Sequence, residues 1–180
     1  MNANVRAVKI DNEDVMLAGI KNLTVSDFNE FIQMLHAINS HVAIQAVNSD
    51  FVAGIAHVLN ILQQSLEAKK RGILLSKRIE IDILLRFACT NQIRKALDDI
   101  GLKNGVNNAL VIAIGNMNDL ETIYNYLQSN YILSDDVLTL SKRKLKLLVK
   151  VHNIPEEEIK ASAGNHKLAS VLAERANLLW

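Results

Sequence analysis

Residues 109–114 read Ala-Leu-Val-Ile-Ala-Ile, six apolar residues without a polar break, closed by Gly115. A half-exposed strand alternates apolar with polar, and a surface helix repeats every three to four residues. A short unbroken apolar run that stops at glycine is instead the pattern of a strand buried in the middle of a sheet. That one segment commits the chain to a sheet with other layers packed on it.

The remaining strands are found around it. Residues 5–10 show partial alternation and read as a strand. Asp11-Asn12-Glu13-Asp14 is a turn, and residues 15–20 are the partner, so the chain opens with a hairpin. Residues 41–47 carry Val42, Ile44 and Ala46 in alternation and read as another strand. Tyr131-Ile132-Leu133 is a short strand or a turn. Asn104-Gly105 and Asn107-Asn108 mark a loop before the central strand.

Helices fill the intervals. Phe28, Phe31, Ile32 and Leu35 share one face of a short helix, with Thr24 or Ser26 available as its cap. A long helix follows Asn48-Ser49-Asp50, with Phe51, Ile55, Val58, Leu59, Leu62 and Leu66 on its apolar face and Gly54 inside it at a cost of about 1 kcal/mol. It ends at Lys69-Lys70-Arg71-Gly72, since basic residues suit the negative end of the helix dipole and glycine suits the left-handed cap. Residues 77–88 form a helix apolar on several sides, which implies neighbours on several sides. Cys89-Thr90-Asn91 breaks it, and Thr90 caps the next helix, whose buried face is Ile93, Ala96, Leu97 and Ile100, ending at Gly101. Asn118 and Glu121 have capping-box spacing for a helix reaching about Leu127. A further helix starts near Ser134-Asp135-Asp136. Pro155 with Glu156, Glu157 and Glu158 is a helix start, and Asn165 caps a final helix with stripe Leu168, Val171, Leu172, Ala176 and Leu179.

The expected fold is α/β: a single domain over residues 1–180, a mixed sheet with helices packed against it. At 180 residues, 49% hydrophobic and 22% charged, the chain can bury an ordinary core. Aromatics make up only 4%, so aliphatic side chains must fill that core and stacking platforms for bases are few. No run reaches the length of a membrane span, and the start has no apolar signal core. The sequon at Asn22-Leu23-Thr24 is therefore expected to be incidental, the residence cytoplasmic, and no membrane is expected among the partners.

Catalytic signatures are weak. Seven glycines supply neither a phosphate loop nor a dinucleotide turn, and there is no HExxH motif or cysteine pair. His36 and His41 could share a metal only if the turn between them closed, and they lack a third ligand at metal spacing. No cofactor and no metal are expected. Cys89 is the single cysteine, read as a small buried residue at a helix end, with a thiol nucleophile as the minor alternative. His57, off the main stripe of the long helix, reads as a surface residue or part of a contact surface. The paired carboxylates Asp98-Asp99 diverge on a helix and make a poor acid/base pair.

The net charge is only +1, but it is unevenly spread. Residues 69–86 hold six basic residues against Glu80 and Asp82, and residues 142–150 hold five and no acid. Lys69, Lys70 and Arg71 end one helix while Lys77 and Arg78 begin the next, so these five charges must lie close together. Arg86, Arg94 and Lys95 could extend the patch. Such a cluster is either a solvated surface or a cradle for phosphates, where it would position a backbone without reading bases. The second cluster, Lys142, Arg143, Lys144, Lys146 and Lys150, reads as a solvated helix face.

Residues 82–101, DILLRFACTNQIRKALDDIG, resemble the central signature of the small kinase-binding subunit of the KEOPS complex, the family of the TPRKB-type proteins. The matching positions are Asp82, Ile83, Leu84, Gln92, Ile93, Ala96 and Gly101, and the similarity extends to His57, to the apolar strand 109–114 and to the ending LASVLAERANLLW. Length and ending are closer to the archaeal form. The resemblance implies a non-catalytic subunit of the complex that installs the threonylcarbamoyl group on an adenosine beside the anticodon of certain tRNAs. It implies binding and stimulation of the kinase/ATPase subunit, and binding of tRNA including its 3′ end. This sequence departs from the pattern with Asp82 for the usual Glu, with Ala88-Cys89 where Ser-Gly is usual, and with Asn91 for a common Arg. The alternatives are a protein-interaction module without RNA binding, and a small cysteine-dependent enzyme.

Overall fold

The structure is a computed structural model that describes residues 7–162 and 166–179. In chain order the elements are β1 (Ala7–Ile10), β2 (Glu13–Val25), α1 (Phe28–Ile38), β3 (Ala43–Asn48), α2 (Ile55–Arg71), α3 (Ile79–Phe87) and α4 (Ile93–Ile100). There follow β4 (Gly105–Ile114), α5 (Met117–Asn130), β5 (Ile132–Leu133), α6 (Lys142–Val151), α7 (Glu156–Ala161) and α8 (Lys167–Asn177). The chain divides into two compact units. One takes the residues up to Ser49 and then Gly101–Val137; the other takes Asp50–Ile100 and the residues from Leu138 on. Each unit is assembled from two separate stretches of chain, so no single linker in the sequence marks the division.

The first unit holds the sheet, in the order β1-β2-β4-β3, with β5 also on β2. Its opening hairpin needs only two loop residues, because Ile10 already pairs with Glu13. Asp11 and Asn12 both have positive φ, at 47° and 69°, as the tight hairpin turn demands and as Asp and Asn tolerate. The part of the first strand at residues 5 and 6 lies outside the described residues. β4 is the central strand expected from its apolar run and pairs with β2 on one edge and β3 on the other.

The mixed sheet expected from the sequence is antiparallel in every described pairing. The reason is topological. β2 and β3 run the same way, but β4 lies between them; β4 and β5 run the same way, but β2 lies between them. Each helical connection, α1 and α5, thus steps over one strand in a split β-α-β arrangement. On one face Met16, Ala18, Ile20, Ile44, Ala46, Val111 and Ala113 pack with Phe31 and Leu35 of α1 and Leu120, Ile123 and Leu127 of α5. Helices packed against a sheet are what the α/β expectation required.

Local chemistry moved several boundaries. The α1 cap is Asp27, whose carboxylate accepts the Asn29 and Glu30 N–H groups at 2.6 and 3.1 Å; Thr24 is still in β2, paired with Val106. The α5 cap is Asn116, whose side chain accepts the Asp119 N–H, two residues before the expected box. Asn107 and Asn108 lie in β4 and not in a loop. The Asn107 side chain accepts the Lys103 N–H and donates to the Lys103 and Gly105 carbonyls, closing the turn that precedes the strand. Asn108 accepts the N–H of Asn22, which sits at φ 55° where the β2 register shifts.

The second unit is helical among the described residues. α2 begins at Ile55 rather than directly behind residues 48–50: Asn48 ends β3, and Ser49–Phe51 form a 3-10 turn. Gly54 is the cap residue at φ 89°, a conformation no helix interior contains, so the helix cannot run through it. The other end is as expected: Gly72 at φ 69° donates to the Lys69 carbonyl, and Ile73 to the Ala68 carbonyl. α3 is buried nearly all round, as its apolar faces required. Residues 135–138 form only a short 3-10 turn, and the next helix, α6, starts at Lys142 behind the Ser141 cap. Pro155 stands immediately before α7. Asn165, expected to cap α8, lies outside the described residues, as does Trp180.

Candidate nucleic-acid interface

The end of α2 and the start of α3 lie in the helical unit and are joined by residues 72–78. Lys69, Lys70 and Arg71 occupy the last turn of α2, Lys77 and Arg78 precede α3, and all five side chains are exposed. A shallow open cleft of about 310 Å³ lies at this junction, lined by Gly72, Leu74, Ser76 and Lys77. Not all of the charge is available to a ligand: the Arg78 guanidinium donates to Glu80 at 2.6 Å. Arg94 and Lys95 are exposed on α4, where Lys95 pairs with Asp99 at 2.5 Å.

Arg86 is a correction. Only 1% of its surface is exposed, and its Nε donates to Asp82 Oδ2 at 2.7 Å. One of its Nη atoms donates to the Ala176 carbonyl near the end of α8. The second Asp82 oxygen, Oδ1, accepts the N–H of Leu75 at 2.7 Å. Arg86 is therefore an internal strut and does not face a phosphate. The spacing of Asp82 and Arg86, four residues apart on a helix, was the signal for this pair.

His57 is also corrected. It is fully buried, its ring meets Phe87 edge-on with centroids 5.0 Å apart, and its Nδ1 accepts the Ala53 N–H at 3.2 Å. Within α2, His57, Ile61 and Ser65 form a stripe at four-residue spacing on the buried side, beside the expected apolar one. A polar residue on such a stripe is invisible to an apolar-periodicity reading. Burial, and secondarily His152, lowers the His57 pKa to about 3, so the ring is neutral at pH 7.

The other signature residues divide in the same way. Asp82, Ile83, Leu84 and Ala96 are buried, and Gly101, also buried, directly follows α4. Gln92 and Ile93 are exposed, Ile93 at 46%. The shared pattern thus records mostly how the helices pack. In the second basic cluster Lys142, Arg143, Lys146 and Lys150 are exposed, but Lys144 is buried, contrary to a wholly solvated face. Burial lowers its pKa to about 8, partly opposed by Asp50. Asp50 also receives Arg143 through two hydrogen bonds, at 3.0 and 2.5 Å.

Cys89 sits one residue past the α3 cap at φ 49°, a left-handed conformation that glycine would adopt without strain. Thr90 N–H reaches back to the Leu85 carbonyl, closing the helix end; Thr90 Oγ1 accepts the Gln92 N–H at 3.3 Å, a bond in the turn before α4 and not the expected cap, since Gln92 is the residue that directly precedes the helix. The Cys89 thiol lies 3.6 Å from the carbonyls of Arg86 and Leu172. Burial pushes its pKa up to about 12, partly opposed by Arg175. A nucleophilic cysteine needs the opposite shift. We expect alkylation by iodoacetamide at pH 8 to be at least about a hundredfold slower in the folded protein than in the unfolded one. Equal rates would restore the thiol as a candidate nucleophile. Among the described residues there is no cluster of three or more His, Cys, Asp or Glu residues suited to a metal ion.

A family model described as kinase binding protein CGI-121 matches residues 20–176. The chain belongs to this family. Membership in the CGI-121 family supports a non-catalytic accessory role in the KEOPS complex and association with its kinase subunit in general. The match identifies the family and does not single out the archaeal form. No curated protein matches the chain significantly. No helix among the described residues is long and apolar enough to cross a membrane.

Proposed function

We propose that this CGI-121 family member binds and stimulates the kinase/ATPase subunit of KEOPS in the cytoplasm and recruits tRNA to the complex through its 3′ end. The family match over residues 20–176 supports the kinase-binding part of this reading. The second half is supported by the exposed basic residues at the α2–α3 junction: Lys77 lines an open cleft with Gly72, Leu74 and Ser76, and Lys70 and Arg71 are exposed in the turn that leads into it. Phosphate contacts of this kind fix a strand in place, and the low aromatic content leaves little for base stacking.

The test is a pull-down with the kinase subunit, with and without tRNA, beside tRNA affinity measured over a range of salt. The triple substitution Lys70→Glu, Arg71→Glu, Lys77→Glu is expected to weaken tRNA binding at least about tenfold and to flatten its salt dependence by about 2 in log–log slope, at roughly 0.7 per lost single-strand phosphate contact. The fold should be unchanged, since the charges are on the surface, and retained kinase capture is the expected sign that the loss is confined to RNA. Unaltered RNA affinity at low salt would remove this patch from the reading. The second reading, a protein-interaction subunit without RNA binding, draws on the neutralisation of Arg78 by Glu80 and the burial of Arg86. It expects kinase capture with no salt-dependent tRNA binding.

A further inference from the structure

Asp82 is fully buried, yet both of its oxygens are used, and on two different structures. Oδ2 holds the Arg86 guanidinium at 2.7 Å, and Oδ1 holds the backbone N–H of Leu75 at 2.7 Å. Leu75 is the middle of the loop that carries Ser76, Lys77 and Arg78 to the start of α3, and its neighbours Leu74 and Ser76 line the cleft with Lys77. Arg86 in turn donates to the Ala176 carbonyl near the end of α8. A hydrogen bond from a backbone N–H to an ionised carboxylate is among the stronger ones, and here it is shielded from water. The loop has no secondary structure of its own to fix it.

We infer that Asp82 is a positioning residue for nucleic-acid binding: its carboxylate pins the Leu75 N–H and thereby holds the Lys77-bearing loop against the basic end of α2. The inference rests on the RNA half of the function proposed above. The ligand is the phosphate backbone of a single strand, and Asp82 never touches it. Prepositioning matters because a free loop must be ordered when the strand binds, and that entropy is subtracted from the affinity.

Two variants separate positioning from stability. Leu75→Pro removes the N–H and leaves the Asp82–Arg86 pair intact. Asp82→Asn combined with Arg86→Gln removes the charge pair and keeps an acceptor for the Leu75 N–H. Both are to be checked for folding by circular dichroism, then measured for tRNA affinity at fixed salt and for kinase capture. Leu75→Pro should bind tRNA roughly fivefold or more weakly, the cost of ordering a few loop residues, with kinase capture unchanged. The Asn/Gln pair should stay within about twofold of the wild type, because the loop anchor survives. Wild-type affinity in Leu75→Pro, or an equal loss in the Asn/Gln pair, overturns the inference and leaves the RNA reading standing. A wild-type protein without salt-dependent tRNA binding overturns both.

Discussion

Replacing Asp82 with alanine is expected to cost about 3–5 kcal/mol of folding stability, because it strands the buried Arg86 cation without its counter-charge. Both members of the pair are sealed from solvent, Arg86 at 1% exposure and Asp82 at 0%. A charge in that position cannot recover its lost hydration, and the Ala176 carbonyl is a partial substitute only. The same substitution also orphans the Leu75 N–H. Replacing both residues together, Asp82→Leu with Arg86→Met, should recover most of the loss, since two desolvated charges are exchanged for apolar packing of similar volume. Urea denaturation of Asp82→Ala and of the double variant measures this directly. A double variant as unstable as Asp82→Ala would mean that the loop anchor, and not the stranded charge, sets the cost.

That pair also shows what the sequence reveals and where it stops. The unbroken run 109–114 identified the central strand, because six apolar residues have no other use at that length. The α2 C-terminus was legible for a local reason, as Gly72 follows three basic residues and takes the left-handed cap. The α2 start was not, because Gly54 can be read as a tolerated interior residue until its φ of 89° is known. His57 was sent to the surface for a separate reason: the buried side of α2 also takes in His57, Ile61, Ser65 and Ala68, and its polar members do not register in an apolar stripe. The sheet was legible as strands and illegible as order, since the interposition of β4 between β2 and β3 leaves no mark on either strand. At the candidate interface the exposed charges at Lys69, Lys70, Arg71, Lys77 and Arg78 followed from their position at helix ends. Arg86 misled because the four-residue spacing from Asp82 reads the same for a solvated surface pair as for one buried inside the helical unit. Lys144 misled because the one buried lysine in a basic run carries no mark of its own in the sequence.

Acidification should destabilise the folded protein from about pH 6.5 downward, well before most carboxylates titrate. His57 and His152 are both buried and both have lowered pKa values, about 3 and about 4. The cause is burial first in each; His152 adds to it at His57, and Arg175 adds to it at His152. In the unfolded chain each takes up a proton near 6.5, so below that pH the unfolded state binds more protons than the folded one. Stability is therefore fully present above 6.5 and falls with pH until the folded rings themselves protonate. The slope is about 1.4 kcal/mol per pH unit for each ring, or about 5 kcal/mol for both between pH 6.5 and 4.5. The Glu158–Arg175 pair acts elsewhere, since the hydrogen bonds from Arg175 lower the Glu158 pKa and move its titration further into the acid range. Urea midpoints at half-unit steps across this window, for the wild type and for His57→Asn, separate the contributions. Asparagine can offer an acceptor to the Ala53 N–H but does not titrate, so its slope should be about half that of the wild type. A flat profile between pH 6.5 and 4.5 in the wild type would mean that neither imidazole is held neutral by the fold.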